Sequence, residues 1–407
     1  MRPGGTNRAA WSRLAAVCAV ACALGLGAAR VRAQDAAAPY VPLESQLLLQ
    51  ARPEQGLLVL HSGYRNHEWV DADAVVWLGA GEEREADVLS ASVGFREPRG
   101  IGQGRLGRFV LATGAVRPVH IDGAIVMGRV PAGASVELFA GMPVVPEFGE
   151  RDFDWLVGGR LAQRLFSERF GLGVSYLHRR DAGQIASEEA GADLSLRPLD
   201  WLTLSAVTAW DVVHRGLADA RISLRAQQRE VVVELFGSRR VAAWLLPATS
   251  LFSTISDARS QELGTDVTWY AFPRLDLGGV VALEAADGDL GYRAELRGRL
   301  RLDPEGHGEL WAAASRRELD AAAWSGARIA IVAPLARRLR ANAGIELVAP
   351  DHPAQDGELW PWARLGASYA LTDHWLLAAA LEGKATPTYR RELTGLLRVS
   401  YAARVEP

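Results

Sequence analysis

The sequence predicts an all-β fold: a single transmembrane, antiparallel, up-and-down β-barrel of about 16–20 strands, even in number. Three observations carry this. Stretches of about ten residues alternate apolar with polar, the connections between them are alternately short and long, and no later segment can cross a membrane as a helix. The cleanest stretch is 292–302. Tyr292, Ala294, Leu296, Gly298, Leu300 and Leu302 fall on one face, and Arg293, Glu295, Arg297, Arg299 and Arg301 on the other. Side chains alternate faces along a strand. A charge facing lipid costs about 2–4 kcal/mol at the membrane midplane, so these five charges must face water.

The chain opens on an export signal. Arg2, Arg8 and Arg13 form a charged start, 14–28 is an apolar run of small residues, and Val31-Arg32-Ala33 supplies a cleavage site, so processing is expected after Ala33. Cys18 and Cys22, the only two cysteines, fall inside this segment. The mature chain is thus expected to have no disulfide, thiolate metal site or cysteine nucleophile. The five arginines of the first 33 residues, with no acid among them, take the net charge from −3 to −8 on their removal. That balance argues against a nucleic-acid partner, which would want a basic face. Beyond the signal no run of 18 apolar residues occurs, and a closed barrel is then the way to cross lipid with every backbone group paired.

Residues 34–68, with Pro39, Pro42 and Pro53, read as a periplasmic leader, in which Leu57-Leu58-Val59-Leu60 suggests a first edge segment. The barrel is expected over 69–407. Candidate strands follow at 69–79, 86–96, 105–113, 122–129 and 135–143, then at 154–165, 170–178, 189–197 and 202–212. A middle group covers 218–227, 230–236, 262–272 and 275–285. The last covers 292–302, 309–316, 321–332, 340–348, 359–371, 375–382 and 392–404. Tight turns are read at 167–169, 198–200, 228–229, 273–274, 334–338 and 372–374, and longer connections at 179–188, 237–261, 286–291, 350–358 and 383–391. Short turns on the periplasmic side and long loops outside give an even strand count with both termini in the periplasm. Trp201 and Trp375 each follow a tight turn, and Trp69, Trp155 and Trp210 lie near other strand ends, where an indole ring is apolar and its N–H stays wet. A leader of this length is too short for a folded plug.

The segment 105–129, RLGRFVLATGAVRPVHIDGAIVMGR, carries Gly107-Arg108 in one strand and Asp122-Gly123-Ala124 at the start of the next. In this it resembles porin-like channels of the alginate-export type. The resemblance implies that Arg105, Arg108, Arg117 and Arg129 line a channel, with His120 and Asp122 near its mouth. The alternation adds Arg293, Glu295, Arg297, Arg299 and Arg301 to the expected lining. Within 237–261 lie Trp244, Leu245, Leu246, Leu251 and Phe252, which a wholly exposed loop would not need. They suggest a segment folding inward to constrict the pore. The last strand ends short of the chain's final residue, Pro407, so Tyr401 is the expected aromatic read by the barrel-assembly machinery.

The eight histidines stand singly, and no Gly-x-Ser-x-Gly, His-Glu-x-x-His or phosphate-binding glycine loop is present. The expected work is passive, porin-like diffusion of small hydrophilic solutes, without catalysis, cofactor or metal. The expected surroundings are outer-membrane lipid and the assembly machinery, with homo-oligomerisation implied by resemblance alone. Two alternatives stand beside this: a barrel for surface assembly or export with periplasmic partners, and a secreted soluble β-protein.

Overall fold

The computed structural model describes residues 41–51, 56–65, 69–80, 84–144, 154–241, 259–286, 288–319, 323–352, 359–385 and 392–405. They form a 22-stranded antiparallel sheet, from β1 (Val41–Ala51) and β2 (Gly56–Arg65) to β22 (Glu392–Val405). Each strand pairs with its sequence neighbours, and β1 pairs with β22 to close the cylinder. The strands are 10–16 residues long, enough for the 9–11 residues a tilted strand needs to span hydrocarbon.

The count of 22 corrects the expected 16–20. The two further strands, β1 and β2, lie in the stretch read as leader or first edge segment. Their period is concealed by continuous apolar runs, Leu47-Leu48-Leu49 and Leu57 to Leu60. Pairing resolves it: Leu47 and Leu49 register with Val399 and Leu397 of β22, while Leu48 registers with Arg398. The connection read as long at 179–188 is also corrected. Strands β9 (Phe170–Asp181) and β10 (Gln184–Leu199) run on until Ala182-Gly183 alone joins them. Both turn residues have positive φ, 47° and 79°, the conformation a two-residue hairpin turn requires.

The two faces of the wall differ in chemistry. In β16 (Asp289–Arg301), Leu296 is 72% exposed on one face while Glu295 and Arg297 on the other are drawn into ion pairs. The same division recurs at Leu263, Val281, Ile329 and Leu365, each more than half exposed. Such a girdle is the lipid face: each large aliphatic withdrawn from water stabilises by about 1.5–3 kcal/mol. Aromatic rings collect at the end that holds both termini, where Trp69, Phe95, Phe166, Trp201, Phe272 and Trp375 are all exposed. Trp375 of β21 (Trp375–Lys384) packs on Tyr401 of β22 at 4.6 Å between ring centroids. This is the interfacial belt expected of a membrane barrel.

Candidate pore and its narrowing

The charged face lines the lumen, and two walls treat it differently. The first is built by β14 (Arg259–Phe272), β15 (Leu275–Ala286), β16 and β17 (Glu309–Glu318). Register sets Arg297 opposite Gly278, Arg293 opposite Ala282 and Glu295 opposite Ser315. The small neighbours leave each guanidinium free to lean sideways to an acid. Arg293 meets Glu262 at 2.5 Å and Glu284 at 3.3 Å, and Arg297 meets Asp266 at 2.6 Å. Arg301 meets Asp276 at 2.7 Å, Arg317 meets Glu284 at 2.7 Å, and Arg299 pairs with Glu309. Most of these side chains remain partly exposed, so the ladder is a wetted, nearly neutral stripe along the lumen. Farther round, the Arg328 guanidinium lies 5.3 Å from the Trp311 ring and 5.2 Å from the Trp362 ring. Two indole faces hold that cation, with Glu346 at 3.7 Å.

The second wall runs from β5 (Gly102–Leu111) and β6 (Val119–Arg129) through β7 (Ala134–Pro143) and β8 (Trp155–Leu165) to β9 and β10. The connection between β5 and β6, residues 112–118, turns into the barrel and lies against this wall. Three anchors hold it. The Thr113 hydroxyl donates to Glu137, the Ala115 N–H donates to Ser175 Oγ at 3.1 Å, and Arg117 caps Glu189. In the last, the Arg117 backbone N–H donates to Oε2 at 3.0 Å, and Nη2 and Nε donate to Oε1 at 3.0 and 3.3 Å. Glu189 is 1% exposed. A carboxylate buried to that degree is tolerable only with its charge and lone pairs met.

Glycine makes room for this segment. Gly114 has φ +55°, and a Cβ there would stand 2.8 Å from both Arg160 Cδ and Ser175 Oγ. A Cβ on Gly191 would meet the Ala115 Cβ at 2.6 Å. Under the segment Phe109, Leu111, Val119, Ile121, Phe139, Leu156 and Leu177 form an apolar cluster with the segment's own Val116, all buried. Beside it Arg160 bridges Glu137 at 3.3 Å and Asp193 at 2.7 Å. Nearer the terminal end, a lumen cleft of ≈ 580 Å³ is lined by Arg129, Glu137, Arg160, Arg164 and Glu168.

The residues expected to line the pore therefore separate. Arg293, Glu295, Arg297, Arg299 and Arg301 share the lumen face of β16, and Arg105 and Arg129 fall on the lumen face of β5 and β6. Arg105 pairs with Asp71 at 3.2 Å. Arg117 lies in the inward segment, committed to Glu189. Arg108, His120 and Asp122 are a correction: they share a face with Leu106, Val110 and Val126, each more than half exposed. In Gly107-Arg108 and Asp122-Gly123 it is the glycines that point inward. Trp244, Leu245, Leu246, Leu251 and Phe252 lie outside the described residues. Sequence reasoning missed the segment 112–118, in which Val116 is the one large apolar residue and no apolar run gives a signal.

Two arrangements resemble chemistry and do not support it. On the lumen face, Asp73 accepts from Ser90 at 2.9 Å and lies 2.6 Å from His61 Nε2. The carboxylate is central, whereas activating a serine needs the imidazole between hydroxyl and acid. In the turn after β16, Asp303, Glu305 and His307 are close enough to share an ion. Asp303, however, accepts the backbone N–H groups of His307 and Gly308, and these bonds hold its carboxyl below the usual range.

Searches against protein-family models and curated proteins find no match. Among solved structures, the chain is similar to a ferric enterobactin receptor of Pseudomonas aeruginosa, with 9% identity, 91% of this chain and 82% of that chain covered, and a TM-score of 0.59. It also aligns with the P pilus usher translocation pore, at 11% identity over 89% of this chain and all of that one, with a TM-score of 0.48. With Pseudomonas aeruginosa OccK11 the figures are 13% identity, 90% and 95% coverage, and a TM-score of 0.41. At these identities the likeness is one of fold, that of bacterial outer-membrane barrels.

Proposed function

We propose that the chain is an outer-membrane channel for passive diffusion of small hydrophilic solutes, narrowed from within by residues 112–118. The observation that carries this reading is the pinned segment itself. It occupies one side of the lumen and leaves the opposite wall, the β14–β17 ladder, partly exposed to water. Twenty-two strands enclose a wide cylinder, and a short segment anchored on one wall narrows such a cylinder without filling it.

Selection would be electrostatic and steric together. Carboxylates and guanidinium groups share the inner face, so the passing solute meets a transverse field while the segment sets the width. In this reading the mature chain begins at Gln34, the final strand with Tyr401 is read by the assembly machinery, and the residues in contact with solute include Arg105, Arg129 and the β16 charges. The direct test is liposome swelling with neutral sugars of increasing size. Entry of small sugars with a sharp upper limit supports the reading. A correctly folded barrel that admits none contradicts it and favours export or surface assembly.

A further inference from the structure

From the seam between β4 (Arg84–Arg96) and β5 we propose a second route, independent of the axial one: a lateral doorway through which single-chain amphiphiles pass between lumen and outer leaflet. The β4–β5 ladder spans only Ala91–Arg96 against Gln103–Arg108. On either side the wall continues: β4 stays paired to β3 (Val70–Ala80) up to Arg84, and β5 to β6 up to Leu111. Above Ala91 and Arg108 two strand edges therefore face each other without a main-chain ladder. The β3–β4 register passes from Val75 opposite Ser90 to Val76 opposite Val88, so Leu89 is the extra residue of a bulge in β4 itself beside this point, and bulges bend a strand and end pairing.

Side chains take the place of the missing ladder. Arg108 Nη1 donates to the Val88 carbonyl at 3.0 Å and lies 3.3 Å from Asp87, while its Nε and Nη2 each reach Asp122 at 2.8 Å. This clasp stands on the face that otherwise carries Leu106 and Val110. A clasp of side chains can part by rotamer change, which a continuous ladder cannot do without breaking backbone bonds in lipid.

Clefts open on both sides of the seam. The outer one, ≈ 710 Å³, is lined by Asp87, Val88, Ala91, Leu106 and Arg108. The inner one, ≈ 220 Å³, is lined by Asp71 and Arg105 at one side and by Phe109, Leu111, Ile125 and Met127 at the other. The apolar side of this inner cleft, where Phe109 and Leu111 are covered by residues 112–118 and Ile125 and Met127 stay half-buried beside them, is out of place for hydrophilic solutes. It fits an acyl chain, with the polar groups at each cleft meeting a headgroup in transit.

The test places a fluorophore on Met127→Cys in a Cys18→Ser/Cys22→Ser background, reconstituted in phospholipid bilayers, with nitroxide-labelled stearate as quencher. Ala91 is exposed on the outer face of the seam, and Ala140 is exposed on the outer face of β7, outside the residues that line the outer cleft. The proposal expects quenching in the parent and in Ala140→Trp, reduced at least by half in Ala91→Trp, which fills the outer cleft. Ala91→Leu repeats the test with a smaller side chain should the tryptophan impede folding. Absence of quenching in the parent, or equal quenching in the Ala91 and Ala140 variants, overturns it. Either result leaves sugar permeation through the lumen untouched and so separately measurable.

Discussion

The β5–β10 wall and the β14–β17 wall obey the same alternation, yet the inner face of the first is dry beneath residues 112–118 while that of the second is wet. On the first, residues 112–118 cover the lumen side, so Phe109, Ile121, Phe139 and Leu177 are buried on the face where charge is expected. On the second nothing among the described residues covers the face, and arginines and acids neutralise one another along it. The difference teaches that a barrel's inner face is polar only where water reaches it. A few residues of inward-turning chain suffice to invert the pattern.

The comparison breaks first at Glu189. Replacing Arg117 with Ala leaves a carboxylate that is 1% exposed without its guanidinium, a loss that costs about 3–5 kcal/mol for a buried pair. The segment should leave the wall, and hydrogen exchange at 112–118 should rise sharply while exchange in β14–β17 stays fixed. Equal protection in parent and variant would show that the pair does not anchor it.

Charge reversal comes next. Arg297→Glu puts a third acid beside Asp266 and Glu295, and the reversal potential in a salt gradient should move toward cation preference. The same reversal at Arg108, on the outer face, should leave ion preference unchanged. A shift there of similar size would contradict the facing assigned to Gly107-Arg108.

A smaller effect is expected at the tryptophan pair. Trp362→Ala removes one of two faces from Arg328, a cation–π contact worth about 0.5–1 kcal/mol at an exposed site. Conductance should change little, and blockade by a planar anionic solute should shift if Arg328 becomes free to reorient.

The smallest effect is a pH limit. Asp351, just beyond β19 (Leu339–Pro350), accepts from Arg316 at 2.6 Å, and this bond holds its carboxyl below the usual aspartate range. A depressed pKa stabilises the paired form above the ordinary midpoint and loses it only as pH falls through the lower value. The clip should thus survive at about pH 3.9, where a free aspartate is half protonated. Carbon NMR of the Asp351 carboxyl checks this; an ordinary midpoint would mean the pair is not formed.

What was legible in the sequence follows from the same contrast. In β16 the period is open to reading because lipid and water impose opposite demands on its two faces. In β5 and β6 both faces carry aliphatics and alternation does not decide, so the arginine of Gly107-Arg108 is assigned to the lumen by resemblance alone, and register places it outside. In β1 and β2 the runs Leu47–Leu49 and Leu57–Leu60 erase the two-residue period, and closure alone reveals them as strands. The inward turn of 112–118 depends on Gly114, Gly191 and Glu189, residues that meet only after the barrel has formed.

The most direct test of the central claim is single-channel conductance in a planar bilayer, comparing the parent chain with a variant lacking residues 113–117. An aqueous lumen narrowed by this segment predicts stable steps in the parent and larger steps in the deletion. Equal steps in two folded barrels, or silence from both, would contradict it.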